Sequence, residues 1–402
     1  MSTTLLSITA APPCASVGVA QRQEHVSFST EAQALVGDIS QNKHLNLIAI
    51  WGPARTGKSF FMNTLAQYTG CGVFSVRGGV DPCTVGAYIA TTAKSFETFS
   101  KGNRDAGTEL KTTPTSSSRP EVGFVDVEGQ GDKHLSYDML LATPLLLLSK
   151  VVMFNWMGAP NKSSMLDRLG AMTHAAALIG RKQRENAFGH LVVLLRDVSP
   201  EEEGKARALL FDDEDAADAD TDQEEDQLTS RNKTRAMLRL SFRSIRVWCL
   251  PRPHPDIHEK EVAQGDVSPA FAKKVASVRQ VLSDELINEP HVVGGQPVMG
   301  GAMLSSLLTT VCDAVNEGSK DLQPLSIMES VQQGLAEAAR LKFIAEFNAS
   351  ISSLDDREPL TKAATSTFLQ RERLTTLRGF GSATQVRIIW PNDLPGCTMS
   401  SM

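Results

Sequence analysis

Asn46-Leu-Ile-Ala-Ile-Trp51 runs directly into Gly52-Pro-Ala-Arg-Thr-Gly57-Lys58-Ser59, and this stretch decides the fold. Leu47 to Trp51 is a short, unbroken apolar run closed by glycine, the pattern of a strand buried on both faces. The next eight residues match G-x-x-x-x-G-K-S, and Lys58 to Gln67 continues as a helix. A strand, a glycine-rich turn and a helix in that order let backbone N–H groups close round a phosphate, with the positive end of the helix dipole behind them. Gly52 and Gly57 then supply the turn, and Arg55, Thr56 and Phe60 belong to the same nucleotide-binding loop. Lys58 reaches the β- and γ-phosphates, and Ser59 offers an oxygen to Mg2+.

Outward from this unit, short strands are expected at 46–51, 122–125, 151–154, 191–195 and 245–250, with helical patterns between them, among them 166–179 and 232–242. That alternation indicates an α/β fold of the P-loop NTPase type, a doubly wound and mostly parallel sheet with helices on both faces. Helical patterns at 269–287, 302–316 and 325–349 extend it, so a short α-helical extension follows. The expected organisation is a flexible N-terminal tail over 1–27 and a P-loop domain over 28–320, with an acidic insertion at 201–227 that is expected to be disordered. The start of a helical region follows over 321–355, then a poorly ordered C-terminal tail over 356–402. Residues 102–120, rich in Gly, Thr, Ser and Pro, read as a loop.

Two further motifs lie at strand ends. Asp126-Val-Glu128-Gly129-Gln-Gly131-Asp132 follows the strand at 122–125. There Asp126 is placed to hold Mg2+ through water, and Gly129 to bring its N–H near a γ-phosphate. Arg196-Asp197 ends the strand at 191–195, and an acid in that position can accept two hydrogen bonds from guanine N1 and N2. Adenine has no such donor pair, so Asp197 selects GTP. A P-loop ATPase or kinase is the alternative if Asp197 does not read the base.

The composition suits a globular chain: 402 residues, 41% hydrophobic, with 29 glycines. The net charge is −6, but residues 201–227 hold thirteen acids against Lys205 and Arg207, a local −11 that leaves the remainder near +5. That is too little positive charge to indicate nucleic-acid binding. Six cysteines without a C-x-x-C pair fit reduced thiols in a cytoplasmic protein better than a disulfide scaffold. No apolar run reaches the ~18 residues that span a bilayer, so any membrane contact is expected to be peripheral or through a partner. His254 and His258 are four apart, but the flanking prolines oppose a helix that would present both to a metal. Arg77-Gly-Gly79 is a single copy, not an RNA-binding repeat. The stripe at 327–347 lacks the basic face of a membrane-lying helix.

The motifs together resemble the guanylate-binding protein and atlastin family of large GTPases. The shared residues are Arg55-Thr-Gly-Lys-Ser59 with Phe60 to Asn63, then Phe74-Ser-Val-Arg77-Gly-Gly79 with Thr84 and Gly86. They continue through Asp126 to Asp132, Asn155-Trp-Met-Gly158, Leu194-Leu-Arg-Asp197 and Cys249-Leu-Pro-Arg-Pro-His-Pro255, so the resemblance covers about residues 28–350. Arg-Asp in place of the usual N/TKxD is its most specific mark. The resemblance implies a Mg2+-dependent GTPase whose G domains pair as a homodimer in the GTP state. It implies that Ser59, Thr84 and Asp126 serve the metal, with Thr84 as the switch I threonine. It also implies catalytic roles for Arg55, Lys58, Thr84 and Glu128, Arg55 acting as an arginine finger supplied in cis and Glu128 organising the water and switch network. The chain departs from the pattern at Pro82, where guanylate-binding proteins carry a serine, and its helical part is short. These departures sustain a second reading, a non-hydrolysing GTP-gated scaffold.

Overall fold

The computed structural model describes residues 1–10, 24–37, 44–68, 72–76, 86–101, 119–130, 135–215, 221–254, 266–318 and 321–352. Eight strands form one sheet: β1 (Ser2–Ala10), β2 (Glu24–Phe28), β3 (Leu45–Trp51), β4 (Ala87–Ala90), β5 (Glu121–Val127), β6 (Ser149–Met157), β7 (Phe188–Arg196) and β8 (Phe242–Leu250). Their order is β2-β1-β4-β5-β3-β6-β7-β8. The five strands from β5 to β8 in that order are mutually parallel, and β4, β1 and β2 add an antiparallel wing. β3 is buried along its whole length, as a central strand of a sheet covered on both faces must be. A two-stranded ribbon, β9 (Val292–Val293) with β10 (Gln296–Pro297), lies outside the sheet.

Ten α-helices accompany the strands among the described residues: α1 (Thr30–Gly37), α2 (Lys58–Leu65), α3 (Phe96–Lys101), α4 (Leu135–Leu148), α5 (Lys162–Leu178), α6 (Glu203–Phe211), α7 (Asp222–Ser241), α8 (Pro269–Val281), α9 (Gly300–Asn316) and α10 (Pro324–Ser352). Ile48 and Ile50 of β3 share a core with Phe61 of α2, Phe99 of α3 and Phe271 of α8. α4, α5 and α9 make a second helical layer. Met1–Val331 is one compact unit. The rest of α10, Gln332–Ser352, carries its own Glu337–Arg340 ion pair. Among the described residues no helix is long and apolar enough to cross a membrane.

The ladder sets the functional end of the sheet. Ile50 is level with Asp126, Trp51 with Phe154, Met157 with Arg196, and Arg196 with Leu250. The parallel strands therefore release Gly52, Glu128, Gly158 and Asp197 at one edge, where open α/β sheets bind their ligands.

Three expectations need correction. Residues 2–10 and 24–28 are strands, not a tail. Their serines and threonines read as loop chemistry, but a β-branched threonine suits a pleated, half-buried sheet surface, and Leu5 and Leu6 are fully buried. The free backbone edge of β2 is capped by the Asn316 carboxamide, which accepts from Val26 N at 2.8 Å and donates to Val26 O at 2.7 Å. β4 is a strand that the sequence did not announce, four residues paired antiparallel with β5. The acidic segment 201–227 is not a disordered insertion: α6 and the first turns of α7 occupy its described part. Its alanines, leucines, glutamates and lysine favour helix, Thr221 caps α7 by accepting from Glu224 N, and acids in the first turn suit the dipole. The neutralising bases lie beyond the segment. Arg231 and Arg235 of α7 and Lys162 of α5 converge on Glu214, at 2.5, 2.7 and 2.6 Å. The loop expected at 102–120 lies outside the described residues up to 118, as do the tail at 356–402, Arg77 to Val85 and His258.

Candidate functional site

The turn between β3 and α2 is held open by unusual backbone. Gly52 has φ 139° and Gly57 φ 74°, and a Cβ on Gly52 would sit 2.1 Å from the Asn155 carbonyl oxygen. Only glycine permits that approach. Arg55 is left-handed without being glycine, at φ 61°, and is exposed on the crest of the loop. Such a conformation costs on the order of 1 kcal/mol and persists only where the surroundings impose it.

Those surroundings are side chains that grip the loop's carbonyls. Lys58 Nζ donates to Pro53 O at 2.9 Å, and Thr56 Oγ1 to the same oxygen at 2.8 Å. Asn155, fully buried at the end of β6, donates through Nδ2 to Thr56 O at 2.9 Å and to Thr56 Oγ1 at 2.8 Å. Arg196, at the end of β7, donates to Gly57 O at 3.2 Å. Two neighbouring strands, β6 and β7, thus engage the carbonyl side of the turn together with Lys58 and Thr56, and the helix dipole of α2 starts at its floor.

The Arg-Asp pair divides its work. The Arg196 guanidinium is buried behind the turn, 5.7 Å from the Phe61 ring centre and 5.4 Å from that of Phe271. Burial brings its pKa down to about 10, so it remains a cation at neutral pH. Asp197 takes φ 62°, a conformation Asp tolerates better than most residues. Its Oδ2 lies 3.5 Å from Arg252 Nε. The sequence grouped both residues as nucleotide-binding. In the structure Arg196 touches the turn from behind, and Asp197 occupies the strand-end corner.

Beside the turn, Ser59 Oγ donates to Asp126 Oδ2 at 2.6 Å, which brings together the two oxygen donors expected to serve Mg2+. Gly129 lies against Ala54, where a Cβ would come within 2.2 Å of Ala54 Cα. Gln130 N donates to Gly52 O at 3.0 Å, lacing the segment after β5 onto the glycine-rich turn. Glu128 is buried, and its Oε2 accepts from Gly86 N at 2.8 Å and from the Tyr137 hydroxyl. Thr84 lies outside the described residues. Among the described residues no group of three or more His, Cys, Asp or Glu forms a metal cage. A hydroxyl and a carboxylate are nonetheless a donor set that suits Mg2+, which keeps waters and phosphate oxygens as its other ligands.

Sequence reading did not select Asn155, Gln130, Tyr137 or Phe271 as site residues. Asn155 carried a signal, a polar side chain breaking the apolar strand Val151 to Phe154 at its carboxyl end. Tyr137 carried none.

The family model described as "Guanylate-binding protein, N-terminal domain" matches residues 24–289, about two thirds of the chain. "Guanylate-binding protein 2" of Rattus norvegicus is 26% identical over 332 residues, covering 78% of this chain and 51% of that protein. The chain therefore spans about half the length of this curated relative.

Proposed function

The chain belongs to the guanylate-binding protein family, and from that premise we propose that it binds GTP with Mg2+ and hydrolyses the γ-phosphate. We further propose that its G domain, which takes in β1 and β2 as well as residues 28–320, pairs with a second copy in the GTP-bound state, and that 321–355 begins a helical region. The observation that carries the reading is the braced turn. With the carbonyls of Pro53, Thr56 and Gly57 engaged by Lys58, Asn155 and Arg196, the amide side of the turn is left to face a triphosphate.

Each residue then has a part. The amides from Arg55 to Phe60 and the Lys58 ammonium hold the phosphates. Ser59 and Asp126, with Thr84, hold the cation, which when bound neutralises charge on the β- and γ-phosphate oxygens. Asp197 accepts from guanine N1 and N2 after exchanging its Arg252 contact for the base. Arg55 brings its guanidinium to the β/γ bridge as charge develops there, its exposed crest position suiting a group ordered by a facing G domain. Glu128 orients the attacking water and Gly129 donates to the γ-phosphate.

The test is calorimetric titration with a nonhydrolysable GTP analogue and its ATP counterpart, each with and without Mg2+, followed by phosphate release over a range of protein concentrations. The reading expects guanine-selective, Mg2+-strengthened binding and a per-molecule rate that rises with concentration. Binding without release at any concentration establishes the scaffold reading instead.

A further inference from the structure

The chain buries a carboxylate, Glu128, beside the phosphate-binding turn, and a buried carboxylate must be supplied with donors. The two donors come from different parts of the molecule. Gly86 N lies at the entrance to β4, two residues after Thr84. The Tyr137 hydroxyl comes from the first turn of α4. Both land on the same oxygen, Oε2, and Oε1 takes no part in either bond. The main chain repeats the link, since Glu128 N donates to Gly86 O at 2.7 Å. Gly86 has no room to shift toward β1: it holds φ 78°, and a Cβ would come within 2.3 Å of Leu6 O.

We propose that Tyr137 is a positioning residue for hydrolysis, its hydroxyl clamping Glu128 Oε2 onto the Gly86 amide so that Oε1 is aimed at the attacking water. The proposal rests on the GTPase reading and adds to it a residue that neither the glycine-rich motif nor the strand-end acids reveal. A carboxylate held by one donor still rotates about its last bond. A second donor on the same oxygen removes that freedom, and a group aimed before the reaction need not be reoriented during it. Tyr137 is itself buried, and burial, then the Glu128 bond, push its pKa above the ordinary tyrosine value. The phenol therefore keeps its proton and acts as a donor throughout the neutral range. The same clamp ties the first turn of α4 to Gly86 at the entrance to β4.

Tyr137→Phe removes the hydroxyl and keeps the ring, and Glu128→Gln removes the charge the hydroxyl serves. In the full chain, Tyr137→Phe is expected to bind the nonhydrolysable GTP analogue as wild type does and to leave KM unchanged, while kcat falls about tenfold, the scale of one hydrogen bond to a charged group. Placed in the Glu128→Gln background, Tyr137→Phe is expected to cost nothing further, because the two residues act as one unit. A merely structural role predicts instead a lower melting temperature with kcat intact. Wild-type kcat in Tyr137→Phe, or an undiminished tenfold loss in the Glu128→Gln background, overturns the proposal and leaves the GTPase reading standing. A folded wild-type chain that binds no GTP analogue overturns both.

Discussion

Two polar regions of this molecule, the glycine-rich turn after β3 and the cluster around Glu214 between α6 and α7, bury charge in opposite ways. In the cluster, Lys162, Arg231 and Arg235 converge on the single carboxylate of Glu214, and Arg235, fully buried, also donates to Leu210 O. The network closes on itself. At the turn, Lys58 and Arg196 spend donors on main-chain carbonyls, Pro53 O and Gly57 O, and Asn155 does the same at Thr56. There the charge holds backbone in shape for something else. The difference separates a charged cluster that stabilises the fold from one that prepares a site, and it predicts that the two respond to substitution in different observables.

Lys58→Ala is expected to have the largest effect on ligand binding, weakening GTP binding roughly a hundredfold or more, as loss of a desolvated charge–phosphate contact does. Titration calorimetry reads it, and an unchanged affinity breaks the distinction. Arg55→Ala keeps affinity within a few-fold and lowers kcat by about a thousandfold, the scale of an arginine finger. Phosphate release at high protein concentration measures it. Asp197→Asn, which exchanges an acceptor for a donor facing guanine, lowers the preference for GTP over ATP by about a hundredfold while phosphate binding persists. Competition against a fluorescent nucleotide reports it.

On the other side, Glu214→Gln leaves nucleotide affinity unchanged but strands buried cations, at a cost of about 3 kcal/mol in denaturant unfolding. The smallest effect is one of pH. The Arg231 bond, with those of Lys162 and Arg235, holds the Glu214 carboxyl well below the usual carboxylate range. A depressed folded value contributes stability that is complete above the ordinary value near 4.5 and is lost as pH falls below it. The gap in stability between wild type and Glu214→Gln should therefore be constant from pH 7 down to about 5 and narrow below that. A gap that widens on acidification contradicts this linkage.

What the sequence made legible follows from distance along the chain. The turn could be read because its chemistry is contiguous: strand, glycines, lysine and serine lie within Asn46 to Ser59. Asp126 and Asp197 could be read because each ends an apolar strand. The braces were harder, since Asn155 reaches back 99 residues to Thr56 and Arg196 reaches back 139 to Gly57. The sequence pointed to Arg196 but not to its side of the loop, which depends on the Phe61 and Phe271 rings that lie near its guanidinium. Tyr137 has no local pattern to betray it, because its partner is defined only once the first turn of α4 meets Glu128 just beyond β5. The acidic segment misled for a compositional reason. Counting acids over 201–227 stops just short of Arg231, Arg235 and Arg239, the bases that turn the segment into paired helices. At the N-terminus, Leu5 and Leu6 were too brief an apolar signal among serines and threonines to announce a strand that pairs on both sides.

The central claim is that a turn whose carbonyls are gripped from behind presents its amides to a guanine nucleotide. Calorimetric titration of the folded chain with a nonhydrolysable GTP analogue and Mg2+ tests it most directly. The account predicts saturable one-to-one binding that the ATP analogue does not match and that Lys58→Ala weakens by roughly a hundredfold or more. Absence of binding at millimolar analogue, with the protein's circular dichroism and melting intact, contradicts it.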